Sequence, residues 1–377
     1  MPECINPLYP CAMTGAVSSL AGFNGIVVVI HGSSGCYYYP ATLLHAPLTG
    51  TFILEEDVIF GSEERLIEVV EEIARTGKRI AVVTTCVPAI LGEDIRAMLA
   101  AHDVILVDSP GFTGSYEKGY KKALSILDPQ VSPDSAGINI DGVSLFDPFF
   151  RGNVQELFRL LALAGVPVAT VLCADKYEKI RKCAPLTITT DSDLASGTGT
   201  CLGGTLGFDA LNETFRRIGE AFGTSDPDPV FEEITREEER LVRACDKYLR
   251  RFDPPQVAIF SNFSYASFAA VTLKKYLDAE IVCIGSRTEP TGPLPFPTSW
   301  ITDLADAQAL IRRSDPDIVI GSSFERSVKG SAGFVGLTPP LRGRVYISPR
   351  PLAGTSGTLL FVEDVLNACM DKPHTLS

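Results

Sequence analysis

The chain has 377 residues, which at about 100 to 200 residues per domain predicts two or three domains. Apolar residues make up 45% and charged residues 21%, which favours a globular protein with a sizeable core and excludes wholesale disorder. With 33 Lys and Arg against 46 Asp and Glu, the net charge is -13, which disfavours nucleic acid and anionic membrane surfaces as partners.

Short β-branched runs alternate with amphipathic stretches along the chain, a pattern typical of parallel α/β layers. The predicted strands are residues 25–30, 79–84, 103–107, 137–143, 166–173, 257–260, 280–284, 317–320 and 344–347. The predicted helices are residues 63–76, 153–164, 210–221, 236–251, 268–277 and 304–313.

Two loop-forming clusters divide the chain. A stretch rich in Pro, Asp and Ser at 128–134 predicts a domain border near residue 133. The sequence Asp253-Pro254-Pro255 follows a long charged helix and predicts a second border near 254. The expected domains are therefore 1–133, 134–254 and 255–377, each a plausible size for one α/β unit.

The sequence contains ten cysteines, too few for a disulfide scaffold in a chain of this size. The N-terminus lacks the basic and apolar segments of a secretory signal, and the apolar runs are far shorter than the roughly 18 residues of a membrane span. We therefore expect a cytoplasmic protein without a membrane partner, whose reduced thiols are free to bind metal or to react.

Three of these cysteines are expected at turns of the first domain. The first strand runs into His31-Gly32-Ser33-Ser34-Gly35-Cys36, the second into Thr85-Cys86, and Cys11 precedes residues 13–16. The carboxyl edge of a parallel sheet is its usual functional edge. A group of thiols there suits zinc or iron–sulfur ligation, with buried structural cysteines as the alternative. The absence of short C-x-x-C pairs disfavours a zinc ribbon or a bacterial ferredoxin.

These segments resemble component 1 of nitrogenase and its relatives, which include dark-operative protochlorophyllide reductase and the nickel-tetrapyrrole reductive cyclase of methanogens. The spacing of Cys11 and Cys36 is similar to that of the first two cluster cysteines in the β-type subunits. The resemblance covers nearly the whole chain and is carried by residues 5–7, 11–16, 31–36, 56–61, 84–95, 108–115, 138–142 and 204–209. It implies three Rossmann-like domains, each with a parallel sheet flanked by helices.

The resemblance also implies a cofactor and its ligands. Cys11, Cys36 and Cys86 would ligate an iron–sulfur cluster at a subunit interface, with Gly32, Gly35 and Thr85 beside it. Three thiolates cannot complete a four-iron cube, so a 4Fe-4S cluster needs another ligand. Two sets of three could instead hold a larger, P-cluster-like double cubane. The remaining cysteines have no assigned role in the cluster. The roles of Cys183 and Cys201 are undecided, and the following cysteines are expected to pack as small apolar side chains: Cys4, Cys173, Cys245, Cys283 and Cys369.

The function that the resemblance implies is low-potential reduction of a substrate in an interdomain cleft, with a tetrapyrrole as one candidate. The sequence has no G-x-x-x-x-G-K-[ST] loop, so ATP hydrolysis is assigned to a separate iron–sulfur reductase that delivers the electrons. The other partner is an identical or paralogous component 1 subunit. The alternative is a non-catalytic scaffold for assembly of a metal cofactor. The loop at residues 354–357 has no histidine, so a molybdenum–iron cofactor is not expected here.

Overall fold

The computed structural model describes residues 7–44, 46–223 and 227–371. Ile5 and Asn6, which contribute to the resemblance, lie outside the described residues, as does Cys4.

The described strands form three parallel sheets, one after another along the chain. The first has the order β2-β1-β3-β4 and consists of β1 (Ile26–His31), β2 (Leu48–Gly50), β3 (Arg79–Thr84) and β4 (Val104–Asp108). The second has the order β6-β5-β7-β8 and consists of β5 (Ile138–Asp141), β6 (Val168–Val171), β7 (Leu186–Thr189) and β8 (Thr200–Gly204). The third has the order β11-β10-β9-β12-β13 and consists of β9 (Gln256–Ser261), β10 (Glu280–Ser286), β11 (Thr298–Trp300), β12 (Ile318–Gly321) and β13 (Gly333–Gly336).

Helices connect the parallel strands, because a parallel pair needs a crossover of a dozen or more residues. Around the first sheet lie α1 (Ala12–Ala21), α2 (Ser34–Leu44), α3 (Glu55–Phe60), α4 (Glu63–Ala74), α5 (Cys86–Leu91), α6 (Ile95–Met98) and α7 (Tyr116–Leu127). The second sheet is accompanied by α8 (Phe150–Leu163), which lies between β5 and β6 in the chain, and by α9 (Phe208–Phe222) and α10 (Asp228–Leu249), which come after β8. The third sheet is accompanied by α11 (Phe263–Leu277), α12 (Leu304–Ser314), α13 (Ser323–Val328) and α14 (Gly354–Met370). None of the helices described is both long and apolar enough to cross a membrane.

The expected α/β fold of parallel sheets is confirmed, but one predicted strand is wrong. Residues 344–347 form no strand, and Val345 and Ile347 are 88% and 99% exposed. The β-branched pattern was misleading because β13 is the edge strand of the third sheet, and no other strand among the described residues pairs with its free side. Helix α1 was not predicted because it is buried on almost every side and therefore shows no polar stripe.

The hydrophobic core follows the sheets only in part. One cluster of buried side chains packs around the first sheet and includes Val28, Val83 and Tyr120. A larger cluster runs without interruption from the second sheet into the third, because α14 packs against both α8 and α10. The C-terminal helix therefore joins the last two sheets through shared apolar burial.

Candidate metal-cluster site

Cys11 is held in place by a close helix crossing. It directly precedes α1, and its backbone forms a bridge with Ser115, which directly precedes α7. A Cβ atom added to Gly15 would overlap the carbonyl oxygen of Tyr116, and one added to Gly119 would overlap that of Ala12. Glycine is therefore required on both helices, and it lets the two backbones touch just behind Cys11.

Cys36 and Cys86 follow neighbouring strands. His31 at the end of β1 is paired with Thr84 at the end of β3, so the loops that follow them lie side by side. A Cβ atom on Gly32 would overlap the Thr85 hydroxyl and would lie 2.7 Å from its methyl carbon. The tight packing of these loops places Cys36 in the first turn of α2 and Cys86 at the first position of α5.

Two of the three thiols, those of Cys11 and Cys86, lie beside Gly111 in the loop after β4, and Cys36 lies within electrostatic reach of both. A Cβ atom on Gly111 would lie 3.0 Å from Cys11 Sγ and 3.3 Å from Cys86 Sγ. Burial raises the pKa of Cys36. Hydrogen bonds with Ser33 and Thr85 lower this pKa, and the neighbouring Cys86 and Cys11 thiols raise it. All three cysteines are half-buried. The structure thus brings together the three residues that the resemblance singles out.

Each of the three cysteines lies at the start of a helix, with Cys11 directly before α1, Cys36 in the first turn of α2 and Cys86 at the first position of α5. The Thr85 hydroxyl interacts with the Cys36 thiol, whereas the buried hydroxyl of Ser109, two residues before Gly111, has no hydrogen-bond partner among the described residues and is a further donor beside this loop. The arrangement therefore has the donors as well as the sulfur ligands that a cluster of thiolate-bound iron requires.

The same geometry bears on the kind of metal. Within residues 7–44, 46–223 and 227–371, no three His, Cys, Asp or Glu side chains are placed to hold one metal ion. In an iron–sulfur cluster each thiolate binds a different iron, so its sulfurs lie further apart than the ligands of one ion.

The other residues near this edge have different roles. Gly35 is exposed, and a Cβ atom there would meet nothing within 4 Å, so packing within this chain does not require glycine. His31 is fully buried, with Nδ1 3.1 Å from the Thr51 hydroxyl and Nε2 3.1 Å from the Ser62 hydroxyl. Its pKa is lowered by burial, against the opposing charge of Glu93. His31 therefore links the end of β1 to Thr51 and Ser62 and stabilises the loops at this edge of the sheet.

The remaining described cysteines do not form a second group of ligands. Cys201 is exposed on β8, whereas the others are buried: Cys173, Cys183, Cys245, Cys283 and Cys369. The Cys183 thiol donates a hydrogen bond to the Ile180 carbonyl at 3.4 Å. Packing therefore accounts for the buried thiols.

A rim of exposed apolar side chains was missed by the sequence analysis. Its members lie on the segments that carry or adjoin the thiols: Tyr38, Ile59, Phe60, Ile90 and Phe112, each more than half exposed. The Ile53 N–H donates to the Gly32 carbonyl at 2.9 Å, which places the segment leading into α3 beside the loop before Cys36. The sequence did contain a signal for this rim, namely the apolar residues that directly follow the cysteine motifs in short helices. Because large exposed apolar patches mark interaction sites, these five side chains are a candidate contact surface for another subunit.

A cleft lies where the three sheet units meet. This interdomain cleft has a volume of about 650 Å³ and is lined by residues 42–44, 145–148, 150–151, 339–342 and 346–350. Burial raises the pKa of Tyr39, the Cys11 thiol raises it further, and the charges of Arg287 and Arg342 lower it. Tyr39 on α2 therefore lies within electrostatic reach of both the cysteine site and a residue of the cleft wall.

Comparisons with known proteins identify the family. The family model for nitrogenase component 1 type oxidoreductases matches residues 11–370. The chain is 24% identical to the nitrogenase iron-molybdenum cofactor biosynthesis protein NifE of Clostridium pasteurianum, over 94% of this chain and 86% of that protein. It is 33% identical to the nitrogenase molybdenum-iron protein beta chain of Frankia alni, over 43% of this chain and 36% of that one.

A solved structure supports the same fold. The nitrogenase Cp1 structure at pH 6.5 superposes with a TM-score of 0.82 at 19% identity, covering 99% of this chain and 94% of that chain. Because the family model spans nearly the whole chain, the resemblance inferred from the cysteine motifs is confirmed. The chain belongs to the nitrogenase component 1 type oxidoreductase family.

Proposed function

We propose that this chain is a catalytic component 1 subunit that accepts low-potential electrons at an interfacial iron–sulfur cluster and reduces a substrate in the interdomain cleft. The observation that carries the proposal is the proximity of the three thiols: Cys11 and Cys86 both lie beside Gly111, and Cys36 lies within electrostatic reach of both. Such a cluster supplies one-electron transfer when bound. Gly32 and Thr85 hold the two neighbouring loops together.

The apolar rim supports the interfacial location. The rim surrounds thiols that are too few to complete a four-iron cluster, so a second subunit that covers it would also supply missing ligands. Burial of apolar area contributes about 25 cal/mol per Å² to such an association. An ATP-dependent iron–sulfur reductase is the proposed electron donor, consistent with the absence of a P-loop from this sequence.

The cleft supports substrate reduction because of its position. Helix α2 carries Cys36 in its first turn and lines the cleft with residues 42–44 at its end. At 1.5 Å per helical residue, Cys36 and Thr42 are about 9 Å apart along the axis. A substrate in the cleft, with a tetrapyrrole as one candidate, would therefore lie close to the source of electrons. We also propose that the chain consists of three domains, which span residues 1–133, 134–254 and 255–377.

The first test concerns the cluster. Protein purified without oxygen should be brown and contain iron and sulfide, with an electron paramagnetic resonance signal after reduction. C11A, C36A and C86A should each lose most of the iron, whereas C201A serves as the matched control on an exposed thiol. Wild-type protein without iron, or triad variants with unchanged iron content, would contradict the proposal.

The second test concerns the interface. F60D should leave folding unchanged, because Phe60 is 87% exposed, and should lower the mass of the assembly measured by light scattering. V242D, on the exposed part of α10, is the control. A dimer of this chain alone identifies the partner as a second copy, whereas assembly only with a paralogue identifies a mixed pair. F60D protein with the wild-type mass would refute the interfacial role of the rim.

A cofactor-assembly scaffold is the second candidate, and the similarity to NifE over 94% of the chain favours it. The two candidates differ in turnover. With a reductase, ATP and substrate, the catalytic subunit should reoxidise its cluster and form product. A scaffold should instead release a bound metal cofactor to an acceptor protein without forming product.

A further inference from the structure

The residues directly before α1 attach the cysteine site to the third sheet. We call residues 7–11 the anchor segment. Pro7 forms an antiparallel bridge with Asp303, and the Leu8 N–H donates to the Thr302 carbonyl at 3.1 Å. The Leu8 side chain is only 2% exposed and packs in a hydrophobic cluster with side chains of β9, β10 and β12. The start of the anchor segment is therefore part of the core around the third sheet.

The rest of the anchor segment crosses to the other two sheets. The Tyr9 ring lies 5.6 Å from the Tyr116 ring on α7 and 5.8 Å from the Phe146 ring in the loop after β5. The segment then ends at Cys11, whose backbone is bridged to the residue before α7. Because only two residues separate Leu8 from Cys11, the place of the Cys11 thiol depends on how firmly Leu8 is held.

A buried arginine holds the anchor segment from inside the core of the third sheet. Arg287 directly follows β10, and its side chain is fully buried. Its Nη1 donates to the Leu8 carbonyl at 3.3 Å and to the Pro339 carbonyl at 3.1 Å. Its Nη2 donates to both carboxylate oxygens of Glu325 at 2.7 Å and to the Ser322 hydroxyl at 2.9 Å. One guanidinium group therefore joins the anchor segment to the loop and helix that follow β12.

The contacts of this ion pair indicate a positioning role. A buried ion pair adds little to stability by itself, because the cost of removing both charges from water offsets their attraction. Glu325 binds Nη2 of Arg287 through both of its oxygens, which orients the guanidinium group and aims Nη1 at the Leu8 carbonyl. Apolar side chains of similar volume could fill the same space, but they would offer that carbonyl no donor.

We propose that Arg287, oriented by Glu325, is a positioning residue for Cys11: it fixes the anchor segment through the Leu8 carbonyl and so sets the place of the Cys11 thiol. The inference rests on the proposed function only in treating Cys11 as a cluster ligand. Cys36 and Cys86 differ from Cys11, because they follow the paired strands β1 and β3 and are positioned by the first sheet. Loss of the ion pair should therefore act selectively on Cys11.

The test measures how fast each thiol reacts in the full-length protein. After removal of bound iron with a chelator, the reduced protein is labelled with iodoacetamide, and the labelled peptides are quantified by mass spectrometry. In R287M/E325L, two apolar side chains replace the ion pair. Cys11 should then react about 5- to 20-fold faster than in wild type, because the anchor segment has lost a charged hydrogen-bond donor. Cys86 and the exposed Cys201 should react within about twofold of their wild-type rates.

Two further variants and a spectrum distinguish positioning from general loosening of the chain. R287K keeps a charge beside Glu325 but lacks the forked donors, so it should give the same selective rise and replaces the double variant if that variant does not fold. R350M/D364L removes another arginine–carboxylate pair near the third sheet and should leave the Cys11 rate within about twofold. Before iron removal, reduced R287M/E325L should show electron paramagnetic resonance g values that differ from those of wild type.

Three outcomes would overturn the inference in variants that circular dichroism shows to be folded. These are an unchanged Cys11 rate, an equal rise for Cys11 and Cys86, or unchanged g values in iron-containing R287M/E325L. Iron analysis of the untreated samples separates the two proposals. Iron-containing protein with an unchanged Cys11 rate refutes only this inference, whereas a selective rise at Cys11 in protein that contains no iron even as wild type refutes only the cluster.

Discussion

The contact between the loops after β1 and β3 leads to a prediction about Gly32. An alanine at this position would place its Cβ atom over the Thr85 hydroxyl, 2.7 Å from the Thr85 methyl carbon and 2.8 Å from its Cβ atom. Both loops are anchored by the β1–β3 pairing, so neither can move away without disturbing the sheet. Overpacking of this kind costs about 1–3 kcal/mol. G32A should therefore lower the free energy of local unfolding of this sheet by that amount.

Hydrogen–deuterium exchange of peptides from β1 and β3 measures this effect without assuming one cooperative transition for a chain with several sheets. A loss of 1–3 kcal/mol corresponds to exchange that is about 5- to 150-fold faster. G35A is the matched control, because a Cβ atom on Gly35 meets nothing within 4 Å. Since Gly35 lies within α2, G35A should exchange at the wild-type rate or up to about fivefold more slowly.

The double variant G32A/T85A identifies the cause of the loss. T85A removes the hydroxyl and the methyl group that the new Cβ atom would meet, leaving only the contact at 2.8 Å. The double variant should therefore be less destabilised than the sum of the two single variants, by about 1 kcal/mol. Wild-type exchange in G32A, or strictly additive losses in the double variant, would refute the steric explanation.

Three further predictions concern other parts of the molecule. Burial raises the pKa of Glu117 from 4.5 to about 7, so the folded protein keeps a proton that the unfolded chain loses, and the free energy of unfolding falls as the pH rises through this window. Between pH 5 and pH 8, the free energy of unfolding measured with urea should fall less in E117Q than in wild type or in the exposed control E64Q. Equal falls would exclude Glu117 as the source of the pH dependence. E325A should lower the free energy of unfolding by about 3–5 kcal/mol because it leaves Arg287 buried without its carboxylate partner. R287M/E325L should lower it less, as measured by thermal unfolding. The reverse order would contradict the argument. I347S should leave the melting temperature unchanged because Ile347 is 99% exposed, and a lowered melting temperature would show that its side chain packs against the rest of the chain.

The sequence predicted the general architecture because its signals are local. Buried strands such as β3 and β9 are short β-branched runs, and their alternation with amphipathic helices is sufficient to indicate parallel sheets. Residues 344–347 show the limit of this reasoning. The same pattern there forms an exposed loop, because strand formation depends on a neighbouring strand that the local sequence does not describe.

The candidate site shows the same division. Cys36 and Cys86 were expected near each other because parallel strands end at one edge of a sheet, and the family motifs added Cys11. The excess of arginines over acids in the wall of the interdomain cleft was not foreseen, since the set of residues that line a cleft is a property of the folded chain. Exposure of the apolar rim likewise depends on which parts of the chain cover each helix.

The sequence by itself determined the parallel α/β class, the family and the three cysteines, because periodicity and motif spacing are written along the chain. Tertiary structure decided that the Cys11 and Cys86 thiols meet at Gly111, since the crossing of α1 and α7 that positions Cys11 depends on glycines in two distant helices. It also decided that α14 unites the cores of the second and third sheets and that the interdomain cleft is positively charged. These features arise from contacts between residues far apart in sequence, which only the packed chain brings together.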